Sequence, residues 1–304
     1  MAAAVSDWTR VFFTLLPNIL MVWGKVSRDL PPECRQFFYL EVPPRGLEEP
    51  SLCFICQYYN KRARFVTLYH TALHTPVYSA YIFKRSAGDV CADVPWMYEP
   101  QLFISGATNE MQPVLQVDQG TQPYEQAGLN DYMNAVLYER APLNPDVHQE
   151  DPDDKASTYT LTNTVPLMPE FIDSVWSEQE QAIRTRLNNY CRGRAYIVTG
   201  VSTYGRTMRG DHMKRVAVPT YVWSAYCCPH YDHSAPFSVR YKFPAFAHYG
   251  LNAQENNEVV ELSVQKLQDF LKTIMFEQNI QIFMNDCTLP ADSKFILHEN
   301  ILNP

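Results

Sequence analysis

Residues 138–149 read YERAPLNPDVHQ and residues 157–187 read STYTLTNTVPLMPEFIDSVWSEQEQAIRTRL, and these two stretches decide the fold. Residues 135–139 have the character of a short strand and lead into a Pro/Asp-rich loop at 141–155. Residues 157–162 alternate in character, which is the period of a strand. Behind them, Pro169 suits the first turn of a helix, and Glu170 suits that helix's positive end. Phe171, Ile172, Val175, Ile183 and Leu187 then recur as an apolar helical stripe.

Working outward, residues 64–69 (RFVTLY) and 77–83 (VYSAYIF) read as two strands joined by a turn at His74 and Thr75, a hairpin. Residues 99–126 are largely polar with scattered Gly, Pro and Asn, an extended loop. Residues 195–200 (AYIVTG) and 216–227 read as central strands. Residues 264–276 form a second amphipathic helix with Leu267, Phe270 and Leu271 on its core side. Strands and helices without a regular βαβ alternation indicate α+β. With no internal repeat or linker, residues 25–304 read as one domain. Hydrophobic residues at 46% and aromatics at 13% of 304 residues exclude a disordered or low-complexity chain. A net charge of −8 argues against strong binding of polyphosphate without a local basic patch.

Residues 11–23 (VFFTLLPNILMVW) form an uncharged apolar run after Arg10, and Asp7 offsets that arginine. The run is short for a membrane span and has the length of a signal-peptide core, so residues 1–24 read as a signal peptide. No other stretch approaches the roughly eighteen apolar residues of a spanning helix, which favours a secreted product without a membrane anchor. The eight cysteines, Cys34, Cys53, Cys56, Cys91, Cys191, Cys227, Cys228 and Cys287, are then disulfide candidates in an oxidising compartment. The run CCPHYDH at 227–233 could hold zinc, but no second ligand pair accompanies it. Disulfides from Cys227 and Cys228 to partners such as Cys191 and Cys287 are the stronger reading.

The order of YERAPLNPDVHQ, STYTLTNTVPLMPEFIDSVWSEQEQ, AYIVTG and VAVPTYVW resembles the DNA/RNA non-specific endonuclease family, and the likeness runs from about Cys34 to Cys287. It implies a mixed or antiparallel central sheet with flanking helices and a ββα-metal core. It also implies Mg²⁺ or another divalent cation as cofactor and DNA or RNA as substrate. The family's D-R-G-H motif matches Glu139, Arg140, Ala141 and Pro142. The acid and the arginine are kept in kind, whereas the general base becomes a side chain with no proton to exchange. The family's metal-ligand Asn falls on Ile172, which cannot coordinate a hard cation. The family Glu falls on Glu180 and a family Arg on Arg184, while Asn163 and Pro166 keep part of the T-N-x-x-P-Q stretch. The resemblance thus implies Glu139, Arg140 and Arg184 as catalytic positions and Glu180, with Asn163 nearby, at the metal.

Plainer readings stand beside these. Glu180 and Arg184, four apart on a helix, would make an exposed ion pair. Arg140 would pair with Glu139 or a loop carboxylate, and Ile172 would sit in the core. His148 could substitute as base, although Asp146, Glu150, Asp151, Asp153 and Asp154 make its loop a solvated acidic one that repels phosphate. Three functions follow. The first is a secreted nuclease scaffold without catalysis that still contacts nucleic acid weakly or an unknown protein partner. The second is an active endonuclease with a site remodelled around Glu139, His148 and Glu180. The third is an extracellular interaction protein.

Overall fold

The computed structural model describes residues 26–288, apart from 48, 89–92, 115–124, 134 and 211–212. Residues 1–24, read from the sequence as a signal peptide, and Cys91 lie outside the described residues. The strands are β1 (Val26–Ser27), β2 (Leu52–Tyr59), β3 (Arg62–His70), β4 (Thr75–Ile82), β5 (Met97–Tyr98), β6 (Gln112–Pro113), β7 (Glu139–Pro142), β8 (Thr164–Leu167), β9 (Tyr196–Gly210), β10 (Met213–Cys227), β11 (Ala245–Leu251) and β12 (Val259–Leu262). The helices are α1 (Leu129–Met133), α2 (Pro152–Ser157), α3 (Pro169–Phe171), α4 (Ser177–Tyr190), α5 (Phe237–Arg240) and α6 (Val264–Met275). Eight strands form one antiparallel sheet in the order β1-β2-β3-β4-β9-β10-β11-β12, and β5–β6 and β7–β8 are separate antiparallel pairs. The α+β expectation holds, with helices on the faces of an antiparallel sheet.

The strand period of two decides what each face covers. Val198, Ala225 and Cys227 point toward α6 and the N-terminal segment around Cys34 and Phe38. Ile197, Tyr226 and Cys228 point the other way, toward Ile183 and Leu187 of α4. Leu267 and Leu271 of α6 are buried as the sequence indicated, while Phe270 is only partly buried and stacks on Tyr249 at 4.1 Å. Neighbouring Cys227 and Cys228 must therefore face opposite layers. Cys227 bonds Cys287 and Cys228 bonds Cys191, with Cys34–Cys56 the third bridge. This pairing removes zinc from the CCPHYDH segment. Cys53 is buried and joined to no described cysteine, and burial pushes its thiol up to about 12.

Three local readings need correction. The strand expected at 135–139 instead spans Glu139–Pro142, because its pairing is fixed opposite Thr164–Leu167. The loop expected at 141–155 contains α2, whose N-terminus is capped by the Asp151 carboxylate accepting from the Asp153 and Asp154 amides. Residues 157–162 are not a strand. Their alternation reflects threonines buried for hydrogen bonding, with Thr162 accepting from Gln57 (2.9 Å) and Thr160 bonding the Met97 carbonyl (3.3 Å). The helix expected from Pro169 does begin there, and the region read as a loop at 99–126 contains, among the described residues, β6 and a 3₁₀ turn at Pro100–Leu102.

Candidate nuclease-type site

Strands β7 and β8 form a hairpin that feeds the helix α3–α4, so the site is a ββα unit laid on the sheet. The register sets Arg140 against Pro166 and Pro142 against Thr164. Ala141 turns inward and is buried, so Arg140 and Pro142 share the outward face of β7. Between α3 and α4 the backbone takes one π turn, Ile172–Trp176, closed by the Ser177 amide donating to the Ile172 carbonyl. An α-helix would turn Phe171 and Trp176 about 140° apart. The wider turn lets both pack inward, with ring centroids 5.5 Å apart. Gly250 makes room for them, since a Cβ there would lie 2.6 Å from the Phe171 ring. The π turn also takes Ile172 out of the i, i+4 line with Trp176, and Ile172 is only half-buried against the core.

The polar groups of α4 are held differently from a surface ion pair. Glu180 accepts a hydrogen bond from the Trp176 indole N–H at 3.0 Å. Desolvation lifts its carboxyl to about 8, with Asp146 adding to the rise and the Trp176 bond opposing it. Arg184 donates to Gln181 (2.7 Å) and to the Ser86 carbonyl (2.9 Å), pinning the chain that leaves β4. No Glu180–Arg184 ion pair forms. Arg140 pairs with no carboxylate among the described residues. Its guanidinium lies over the Trp96 ring, 4.8 Å from the centroid, and burial lowers its pKa.

His148 is enclosed rather than presented to solvent, at 3% exposure. Its Nε2 is 3.0 Å from the Glu180 carbonyl, an acceptor, so Nε2 carries the proton. Nδ1 therefore accepts from the Tyr81 hydroxyl at 2.9 Å. Both ring nitrogens are used, and burial drives the imidazole down to about 4. The acidic stretch beside it is not a free loop. Asp153 and Asp154 each receive a 2.9 Å bond from Arg64, and Asp146 accepts from Tyr159 at 2.7 Å.

Asn163 is wholly buried and fully engaged. Its Oδ1 accepts from Ser79 (2.7 Å) and the Asn144 amide (3.0 Å), and its Nδ2 donates to the Asn144 and Thr158 carbonyls. Ser79 belongs to a polar row that sequence reading passed over. The registers align Thr67, Ser79, Thr199, Ser224, His248 and Glu261 across β3, β4, β9, β10, β11 and β12. The signal was one small polar or His residue in each apolar strand: FVTLY, VYSAY, IVTG, VWSAY and FAHYG. The row runs under the ββα unit. Gln57 donates to Thr67, Thr67 bonds Ser79 at 3.1 Å, and Thr199 bonds Ser224 at 2.8 Å. At the far end Glu261 accepts from Gln179 (3.1 Å) and Arg186 (2.7 Å) of α4, and from Lys242. Burial raises the Glu261 carboxyl, but Lys242 and Arg186 outweigh it and the net direction is down. His248 lies 5.0 Å from the Trp176 ring, its nitrogens are buried without partners among the described residues, and burial lowers it to about 3.

The divalent ion implied by nuclease chemistry does not fit this donor set. Ile172 offers hydrocarbon, Asn163 has no free lone pair, and Glu180 is turned onto an indole. Among the described residues no group of three or more His, Cys, Asp or Glu gathers around a common point.

Comparison with known proteins bears on the family and the fold. The DNA/RNA non-specific endonuclease family matches residues 53–282. Human endonuclease domain-containing 1 protein is 33% identical over 205 residues, covering 64% of this chain and 39% of that protein. Its mouse counterpart is 29% identical over 207 residues, covering 64% of this chain and 38% of that protein. The chain thus spans about two-fifths of the length of these curated relatives. In fold it is similar to a chain in the crystal structure of the EndoG/EndoGI complex, with a TM-score of 0.51 and 13% identity over 86% of this chain and 94% of that one.

Proposed function

The chain belongs to the DNA/RNA non-specific endonuclease family, and from that premise we propose that it is a secreted nuclease scaffold that binds nucleic acid weakly and does not hydrolyse it. One observation carries the reading: the two motif positions that must supply the base and the metal ligand hold Pro142 and Ile172, on a ββα unit that is otherwise intact. Losing a general base alone costs roughly 10²–10⁴-fold in rate, and losing the metal ligand removes a separate source of charge stabilisation. His148 does not replace the base, since both its nitrogens are bound and its pKa lies far below neutrality. Secretion is supported by three disulfides.

The test is a magnesium-dependent plasmid-nicking assay on the purified protein beside a Pro142→His, Ile172→Asn double variant, with gel shifts at graded salt. The wild type should leave plasmid intact while shifting nucleic acid only at low salt. The double variant should gain cleavage. Wild-type cleavage that Glu180→Ala abolishes would overturn the proposal in favour of an active, remodelled site. No shift even at low salt would leave a protein-interaction module instead.

A further inference from the structure

Among the described residues, two exposed aromatic side chains meet on the chain between β10 and β11. Phe237 is 75% exposed and Tyr241 54%, with ring centroids 6.1 Å apart. We propose that this turn, with the basic residues around it, docks the protein on an anionic lipid surface. The inference does not rest on the nuclease reading. The turn lies at one end of the sheet, where Cys227 is opposite both Tyr196 and Ala245 and Ile82 is opposite Tyr196. The motif hairpin packs toward the other end of β9, on Val201 and, through Tyr138, on Met208.

Positive charge gathers at the same end as the two rings. The chain leaving β4 (83–87), the chain entering β9 (191–195) and the turn at 228–244 carry six Lys or Arg residues against one Asp, in a protein of net charge −8. That Asp is Asp232, paired with Arg192, while Lys242 is paired with Glu261. Lys84, Arg85, Arg194 and Arg240 pair with no carboxylate among the described residues; Arg85 and Arg240 donate only to the Cys191 and His233 carbonyls. Lys84, Arg85 and Arg194 also line one cavity of about 380 Å³, in which the Asp154 carboxylate is held by Arg64.

The rings are exposed on a fixed turn rather than a loose one. The Cys191–Cys228 bridge ties its base, and the Arg192 amide donates to the His230 carbonyl at 2.7 Å. The Asp232 amide donates to the Tyr190 carbonyl at 2.8 Å, and Tyr231 stacks on Phe243 at 5.1 Å. Two large aromatic side chains held together in water mark a surface built to be covered.

A lipid surface uses both kinds of group at once. Phenylalanine and tyrosine rings enter the boundary between headgroups and acyl chains, while Lys and Arg stay among the anionic headgroups. An acidic peptide would bond the cations and leave Phe237 and Tyr241 in water. A nucleic acid strand would need open ring faces on which to stack its bases. Tyr241 instead carries the Lys242 ammonium over its ring at 5.8 Å and meets Phe246 edge to face, also at 5.8 Å.

Sedimentation with vesicles of phosphatidylcholine alone, and of phosphatidylcholine mixed with phosphatidylserine, tests this. The protein should pellet with the mixed vesicles, stay in solution with phosphatidylcholine alone, and be released by high salt. Phe237→Ser should weaken binding to the mixed vesicles about tenfold or more. Lys84→Gln, Arg194→Gln and Arg240→Gln together should weaken it about a hundredfold, at roughly fivefold per charge. All four side chains are exposed, so both variants should melt with the wild type. The proposal is overturned if the mixed vesicles leave the protein in solution, if phosphatidylcholine alone pellets it equally, or if either variant binds like wild type. Loss of single-strand gel shift or of poly-glutamate binding in Phe237→Ser, with vesicle binding kept, would also overturn it and assign the face to a nucleic acid or an acidic protein.

Discussion

Single ionisable groups set how this molecule answers pH. Glu180 titrates near 8 in the folded chain and near 4.5 unfolded. Between those values the folded state holds the extra proton, so Glu180 subtracts stability as pH rises from 4.5 and the loss levels off above 8. Glu180→Gln keeps an acceptor for the Trp176 indole and removes the charge. Its melting temperature should exceed that of wild type most at pH 8 to 9 and converge at pH 4 to 5; a constant offset would rule out the carboxyl as cause. His148 and His248 act in the opposite window. Their folded values fall to about 4 and about 3 from 6.5, so stability present above 6.5 is lost as pH falls toward 3. For His148 alone that is about 3 kcal/mol, at about 1.4 kcal/mol per pH unit. His148→Gln should flatten the acid limb between pH 6.5 and 4 in a denaturant series at graded pH. At this scale the sequence alone raised the readings at Pro142 and Ile172, because they rest on which side chain stands at a motif position and not on packing. It offered His148 as a substitute base in a solvated loop, because only the closed packing of Tyr81 and α4 around that loop makes it a structural imidazole.

At the scale of elements, the ββα unit stays on the sheet through hydrogen bonds as much as through apolar burial. Asn163 is the joint: it receives the relay Gln57–Thr67–Ser79 from the sheet and fastens the chain on both sides of β8's entry. Asn163→Leu would fit the volume, remove the acceptor of the Ser79 hydroxyl, and leave the Asn144 amide and two carbonyls unpaired. At about 1–3 kcal/mol each, it should cost more than about 4 kcal/mol in urea unfolding, whereas Ser79→Ala should cost about 1. Equal, small effects would mean that water replaces the joint. This logic also explains which elements were legible. Strands β3, β4, β9 and β10 showed as apolar runs bounded by turns, and the helix from Pro169 showed through its stripe. Residues 157–162 misled because threonines that alternate to reach buried acceptors have the same period as threonines on a sheet face. The π turn had no signature, since it arises only from the need to seat Phe171 and Trp176 together over Gly250.

At the scale of the whole molecule, the central sheet separates two layers that share no apolar core, one under α6 and one under the ββα unit. Something must couple them, and the adjacent cysteines at the end of β10 do so from a single strand. The doublet in the sequence already indicated disulfides; which layer each half-cystine staples followed only once strand alternation was known. Cys227–Cys287 closes 60 residues and Cys191–Cys228 closes 37. In the chain-entropy account these loops are worth about 4 kcal/mol each, and removal of such a bridge typically costs 2–5 kcal/mol. The two should fail differently. Cys227→Ala, Cys287→Ala frees the segment that follows α6 and packs back on it, so hydrogen exchange should rise in α6 and the segment around Cys34 while α4 stays protected. Cys191→Ala, Cys228→Ala frees the C-terminus of α4, so exchange should rise there and in the chain leaving β4 that Arg184 and Arg85 hold, sparing α6. Each pair should lower the melting temperature by about 10 °C. Uniform loss of protection in both variants would show that the layers unfold together and that the bridges serve the sheet rather than its separate faces.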